Sequence, residues 1–206
     1  VLWIHSSVEG IAAEYSSSKR FDSGEAVLVE ILQIDPEDFA EVISSEESHF
    51  LDVKARDIKP ASLSKTVSAF ANTAGGEIYV GVSEAWQNGK KQRTWQGFED
   101  QEAANPIFAT LKDLGATDIV SANFLNSEGQ EDYVLQLIVR KSRRIIRATN
   151  GDPYRRSNAQ SIAVREADAV RRLELDKGIA SFEDDTVGVP LDTITNSVTS
   201  LGFLLV

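Results

Sequence analysis

The stretch Val67-Ser68-Ala69-Phe70-Ala71-Asn72-Thr73-Ala74-Gly75-Gly76, continued by Ile78-Tyr79-Val80-Gly81-Val82, decides the fold. Leu63, Val67, Phe70 and Ala71 recur at the spacing of one helical face, and Ser62 ahead of them suits an N-cap. The small side chains of Ala69, Ala71 and Ala74 let such a helix lie close to a sheet. Gly75-Gly76 then stops it, because glycine reaches backbone conformations that a tight turn needs. Asn72, next to that stop, suits a C-terminal cap. Ile78 to Val82 is short and apolar and reads as a central strand whose end is marked by Ser83-Glu84.

Outward from this unit, His49 to Ala55 alternates, with Leu51, Val53 and Ala55 on one side and Phe50, Asp52 and Lys54 on the other. That is a strand. Further back, Ala26 to Leu32 fits a strand or a buried helix, and Asp35-Pro36-Glu37-Asp38 resembles a helix start. Forward, Pro106 to Leu114 reads as a helix. Asp118 to Leu125 and Tyr133 to Val139 read as strands joined across a turn at Asn126 to Gln130. Arg165 to Leu175 reads as a basic-faced helix, and a final helix is expected from about Leu191 to Leu205. The expected class is α+β, a mixed or antiparallel sheet with packed helices. Residues 1–43 are expected to form an N-terminal extension, 44–180 the domain, and 181–206 a linker and helix.

Cysteine is absent from the 206 residues, which excludes disulfides, thiolate metal ligands and a cysteine nucleophile. Its absence is compatible with the cytoplasmic location expected here. No apolar run approaches the ~20 residues needed to span a bilayer, so no membrane partner is expected. Methionine is absent too, and the chain is expected to be a piece of a longer protein with additional domains. The net charge of −11 argues against coating nucleic acid by bulk attraction. Distribution matters more than the sum. Between Arg140 and Arg172 stand ten basic residues and three acids, a segment able to make a local phosphate-binding surface on an acidic body.

Glu47, Asp52, Lys54 and Glu84 form the most informative polar group. Asp52 and Lys54 lie two apart on a strand and point the same way. Glu84 stands at the expected end of a second strand, so neighbouring strands would bring three carboxylates and an amine together. Such a group suits Mg²⁺ or Mn²⁺, which favour oxygen ligands, and the lysine could hold a phosphate. Solvated acids on a polar sheet face are the simpler reading of the same residues.

Glu47-Ser48, Leu51-Asp52-Val53-Lys54, the Val67 to Gly76 run and Ile78 to Val82 together resemble the Schlafen AlbA-like family. Its pattern runs E-S, a short gap, L-E-F-K, a helix, A-F-A-N-T-x-G-G and a G-V-x-D strand end. Tyr154-Arg155-Arg156-Ser157 resembles the family's Y-x-R-x-G element. The resemblance covers roughly residues 44 to 175. It implies a DNA- or RNA-binding domain, since prokaryotic members are described as DNA-binding or transcriptional regulatory domains. Some animal members are metal-dependent endoribonucleases. Carried over by position, their acidic metal ligands fall on Glu47, Asp52 and Glu84, with Lys54 beside them. Asp52 and Glu84 each exchange Asp for Glu or the reverse, altering reach by ~1.5 Å.

Nucleic acid is therefore the expected partner, held by Arg143, Arg144, Arg147, Tyr154, Arg155 and Arg156 in a domain of a regulatory protein. A Schlafen-type endoribonuclease using the acidic triad is the first alternative, and a protein-interaction or homodimerisation domain the second. Trp86 and Trp95 flank Lys90, Lys91 and Arg93 in a segment that could stack bases or anchor a loop. His5 and His49 are isolated histidines, His49 close to the acids. Gly75 to Gly81 lacks the spacing and the Lys-Ser or Lys-Thr of a phosphate-binding loop, so no nucleotide site is expected.

Overall fold

The computed structural model describes residues 27–181, with residue 88 and the side chains of residues 28, 87 and 90 left out. The expected linker end and final helix beyond residue 181 lie outside the described residues, as does His5. Along the chain come β1 (Leu28–Ile34), α1 (Pro36–Ser44), β2 (Leu51–Lys54), α2 (Pro60–Asn72), β3 (Gly76–Val80), β4 (Val82–Gln87) and β5 (Lys90–Trp95). They are followed by α3 (Asn105–Asp113), β6 (Val120–Ser127), β7 (Val134–Val139), β8 (Tyr154–Ser157), β9 (Gln160–Ala163) and α4 (Ala167–Asp176).

Five strands form one mixed sheet in the order β1-β6-β7-β3-β2. The outer pairs β1–β6 and β2–β3 are parallel, and the inner ladders β6–β7 and β7–β3 are antiparallel. The class is α+β, as the sequence pattern implied. The segment that fitted strand or helix is strand β1, carrying the sheet beyond β6. Asp35 caps α1 by accepting hydrogen bonds from the backbone N–H groups of Glu37 and Asp38, both at 2.9 Å.

Side-chain alternation sends the residues of each strand to two cores. Ile78, Val80, Ala122, Phe124, Leu135 and Leu137 pack with Leu63, Val67 and Phe70 of α2 and Ile107 and Leu111 of α3. On the other face Val53, Leu125 and Val134 pack with Val42 of α1 and with Val82 and Trp95 at the base of the β4–β5 hairpin. Each of these large apolar side chains contributes ~1.5–3 kcal/mol by leaving water.

Helix α2 is buried on its second side as well. Its Leu63-Val67-Phe70 stripe faces the sheet, while Ser64, Ser68 and Asn72, spaced by four, are also buried and bond to residues 146–154. The helix starts at Pro60, with Lys59 at the N-cap and no side-chain cap. Ser62 therefore lies inside the first turn, because proline's fixed φ already suits the first helical position. Asn72 is not a C-terminal cap; that position is held by Thr73.

Gly75 follows with φ +83°, and a Cβ there would lie 2.7 Å from the carbonyl oxygen of Val139. Glycine is needed on both counts. The apolar run from Ile78 to Val82 is not one strand. Gly81, at φ +112°, breaks it, and Val82 begins the separate β4–β5 hairpin.

Candidate functional site

The two motif blocks that carry the family resemblance, some eighty residues apart in the chain, form one joint. The Asn72 side-chain amide donates to the carbonyls of Ile146 at 2.7 Å and Tyr154 at 3.1 Å, and its oxygen accepts from the Ile146 N–H at 2.9 Å. The Ser68 hydroxyl donates to the Ile146 carbonyl at 2.7 Å and accepts from the Tyr154 N–H at 3.0 Å. Thr73 accepts from the Arg156 N–H at 2.9 Å. Arg156, only 4% exposed, reaches past the helix to the carbonyls of Ser48 and Leu51, each at 3.0 Å, and to Asp52 at 3.2 Å. Its guanidinium carbon lies 4.8 Å from the centre of the Phe70 ring.

Asp52, 2% exposed, lies at the centre of the acidic group. One of its oxygens takes the Arg156 guanidinium; the other takes the Lys54 ammonium at 2.7 Å and the Thr66 hydroxyl at 3.2 Å. Lys54 also reaches Glu47 at 3.4 Å. The strand argument thus brings Glu47, Asp52 and Lys54 together, with β2 and β3 paired side by side.

Glu84 is not at the end of β3 but inside β4. It faces Arg93 across the β4–β5 hairpin and holds the Lys91 ammonium at 2.6 Å and the Arg93 guanidinium at 2.7 Å. Partial burial pushes its carboxyl up, but the two cations outweigh that and hold it below the ordinary range. Glu47, Lys91 and Arg93 do share the border of one open cleft of about 390 Å³, with Ile43, Glu46 and Ala159.

A divalent ion shared by Glu47, Asp52 and Glu84 does not fit this donor set. Both Asp52 oxygens and the bonded oxygen of Glu84 already accept from cationic side chains. Among the described residues, no three His, Cys, Asp or Glu side chains come together in a group that could hold a metal ion. His49 stacks edge-on against Phe50, the ring centres 4.9 Å apart.

The residues expected to bind nucleic acid divide by burial. Tyr154 is buried, its hydroxyl accepting from Asn150 at 3.1 Å, and Arg156 is spent on the joint. Neither can meet a phosphate from these positions. Arg144 is exposed but bonds both oxygens of Asp118, whose carboxyl is held below the ordinary range chiefly by that contact. Arg147 is exposed and donates to the Gly151 carbonyl at 3.1 Å. Arg143 is exposed and has no carboxylate partner among the described residues, and exposed Arg155 faces Asp176 at 3.6 Å.

Lys177, just past α4, was not legible as part of this group. Its ammonium donates to the carbonyls of Ser142 at 2.7 Å and Ala71 at 3.1 Å, which draws the end of α4 onto the segment after β7. Burial first, then the neighbouring Lys141 and Arg155, push its pKa down to about 8. A lone lysine after a helix end gives no sequence signal for such crowding.

A solved structure from Corynebacterium diphtheriae is similar at 17% identity with TM-score 0.42, covering 61% of this chain and 27% of that one. The N-terminal domain of an ATP-dependent DNA helicase RecG-related protein from Nitrosomonas europaea is similar at 20% identity with TM-score 0.37, covering 50% of this chain and 69% of that one. The chain thus spans only about a quarter of the Corynebacterium protein it matches. No curated protein matches the sequence. The family model described as Schlafen, AlbA_2 matches residues 47–167, which include both halves of the buried joint, and the chain belongs to that family.

Proposed function

We propose that the domain binds nucleic acid through the cationic surface formed by Lys141, Arg143, Arg147, Arg155 and Lys177. The observation that carries this reading is that Lys177 is drawn onto the Ser142 and Ala71 carbonyls, which gathers it with Lys141 and Arg155 from three separate segments; burial first, and then these two cations, lower its pKa. Like charges repel, so a fold with a net charge of −11 gains nothing in stability by crowding them at one surface. A phosphate backbone relieves that repulsion and releases its own counterions on binding. Membership of the Schlafen AlbA_2 family supports the same reading. A role as part of a transcriptional regulator is a finer proposal of the same kind.

Cleavage draws no support from the acidic group, whose carboxylates are matched by Lys54, Arg156, Lys91 and Arg93. The test is fluorescence anisotropy of labelled RNA and DNA at low salt, with parallel incubations in Mn²⁺ and in EDTA. Binding in both buffers, lost in Lys141→Glu/Arg143→Glu and unaccompanied by cleavage, is expected. Mn²⁺-dependent cleavage abolished by Glu47→Ala would overturn the binding-only reading.

A further inference from the structure

The two tryptophans of the β4–β5 hairpin have opposite surroundings. Trp95, at the base, packs on Phe39 with ring centres 5.2 Å apart, and its indole N–H donates to the Asp132 carbonyl at 3.0 Å. Trp95 anchors the hairpin. Trp86, near the tip, is 76% exposed, the most exposed large apolar side chain among the described residues. The fold makes no use of it.

Register places Trp86 opposite Lys91, Glu84 opposite Arg93 and Val82 opposite Trp95, so these six side chains share one face of the hairpin. Lys91 and Arg93 on that face also line the cleft bordered by Glu46 and Glu47. Two cations and two carboxylates therefore border a space of about 390 Å³, and Trp86 stands across the ladder from one of those cations, Lys91. That volume falls within the ~300–1,000 Å³ typical of small-molecule sites. An ammonium has three donors, and Glu84 supplies Lys91 with one acceptor at 2.6 Å, leaving donors for a phosphate oxygen.

We infer that Trp86 and Lys91 hold one unpaired nucleotide, the base stacked on the indole and its phosphate on the ammonium. Glu46 and Glu47 then accept hydrogen bonds from base amino groups or sugar hydroxyls. Duplex bases already stack on one another and cannot lie against the indole, so the site selects single strands. This inference rests on the nucleic-acid-binding reading and names the form of its ligand.

The test compares wild type, Trp86→Ala, Trp86→Phe and Lys141→Glu/Arg143→Glu for binding of a short labelled single strand and a duplex of the same length. Trp86→Ala is expected to weaken single-strand binding about tenfold, within the range for loss of one base–aromatic stack. Duplex binding and the urea midpoint stay unchanged, and Trp86→Phe keeps most of the affinity. Unchanged single-strand binding in Trp86→Ala, or equal losses for both ligands, overturns the proposed site. If Lys141→Glu/Arg143→Glu still loses both ligands, the general binding reading survives that failure. Wild type that binds neither ligand at low salt overturns both.

Discussion

Two groups of charge touch helix α2, one at Thr66 and one at Ala71, and are built in opposite ways. Around Asp52 the charges are balanced and withdrawn from water: two carboxylates meet Lys54 and Arg156, and Asp52 and Arg156 are buried. Around the half-buried Lys177 the cations outnumber their acids and most lie at the surface, with Arg155 3.6 Å from Asp176 and Lys141 and Arg143 exposed without a carboxylate partner among the described residues. A charge count over residues 140–172 merges the two groups, since Arg155 and Arg156 are neighbours in sequence. Burial separates them: Arg156 serves the fold and Arg155 the surface.

The largest expected effect lies in the buried group. Arg156→Ala strips Asp52 of one cation and leaves two backbone carbonyls without their donor. Breaking a buried pair from one side costs about 3–5 kcal/mol, read as a lower urea midpoint. Asp52→Asn keeps an acceptor and removes the charge, so a smaller loss is expected. Equal losses would mean that the pair's charge is not what matters.

Next in size is Asn72→Ala, which removes three hydrogen bonds between α2 and residues 146–154. Leaving buried backbone groups unsatisfied costs about 1–3 kcal/mol. Amide exchange at Ile146, whose N–H bonds to Asn72, should quicken together with the global loss. A stability unchanged in this variant would show that the two motif blocks are joined by other contacts.

On the exposed side, Lys141→Glu/Arg143→Glu should leave stability within about 0.5 kcal/mol while weakening nucleic-acid binding, most strongly at low salt. Unfolding in this variant would place the two cations with the structural group and erase the contrast. Glu84→Ala, which removes a half-exposed pair with Lys91 and Arg93, is expected to cost under about 1 kcal/mol.

The smallest effect is on pH dependence. Lys177 titrates near 8 in the folded chain against an ordinary 10.5. Between those values the unfolded chain binds more protons than the folded one, so stability rises with pH across that window. Lys177→Met should lack this rise in denaturation curves between pH 8 and 10.5. Bound polyanion should push the Lys177 pKa back up, which NMR of the labelled lysine can follow. A pKa unmoved by saturating oligonucleotide would place the ligand elsewhere.

The parts of this contrast were unequally legible in the sequence. The β2–α2–β3 unit and the β6 and β7 strands follow from apolar period and glycine punctuation, because burial on a sheet face imposes that period. Asp52 and Lys54 share a side for the same reason. Strand β5, Lys90–Trp95, is mostly polar and β8 is four residues long, so neither shows an apolar period. With β8 unrecognised, the alternation that buries Tyr154 and Arg156 and exposes Arg155 and Ser157 stayed hidden. Glu84 was misplaced because one glycine, Gly81, turned an apolar run into two elements of different sheets. The run Ser64, Ser68 and Asn72 did carry a readable signal, a polar stripe at spacing four on an otherwise apolar helix.

The most direct measurement is the salt dependence of oligonucleotide affinity in the wild type and in Lys141→Ala/Arg143→Ala. Each phosphate that is no longer neutralised should flatten the slope of log K against log salt by about 0.7–0.9, so the pair should remove about 1.4–1.8. An unaltered slope, with affinity falling instead on changing Glu47 or Asp52 without unfolding, would contradict the assignment of binding to the exposed cations and of the acids to the fold.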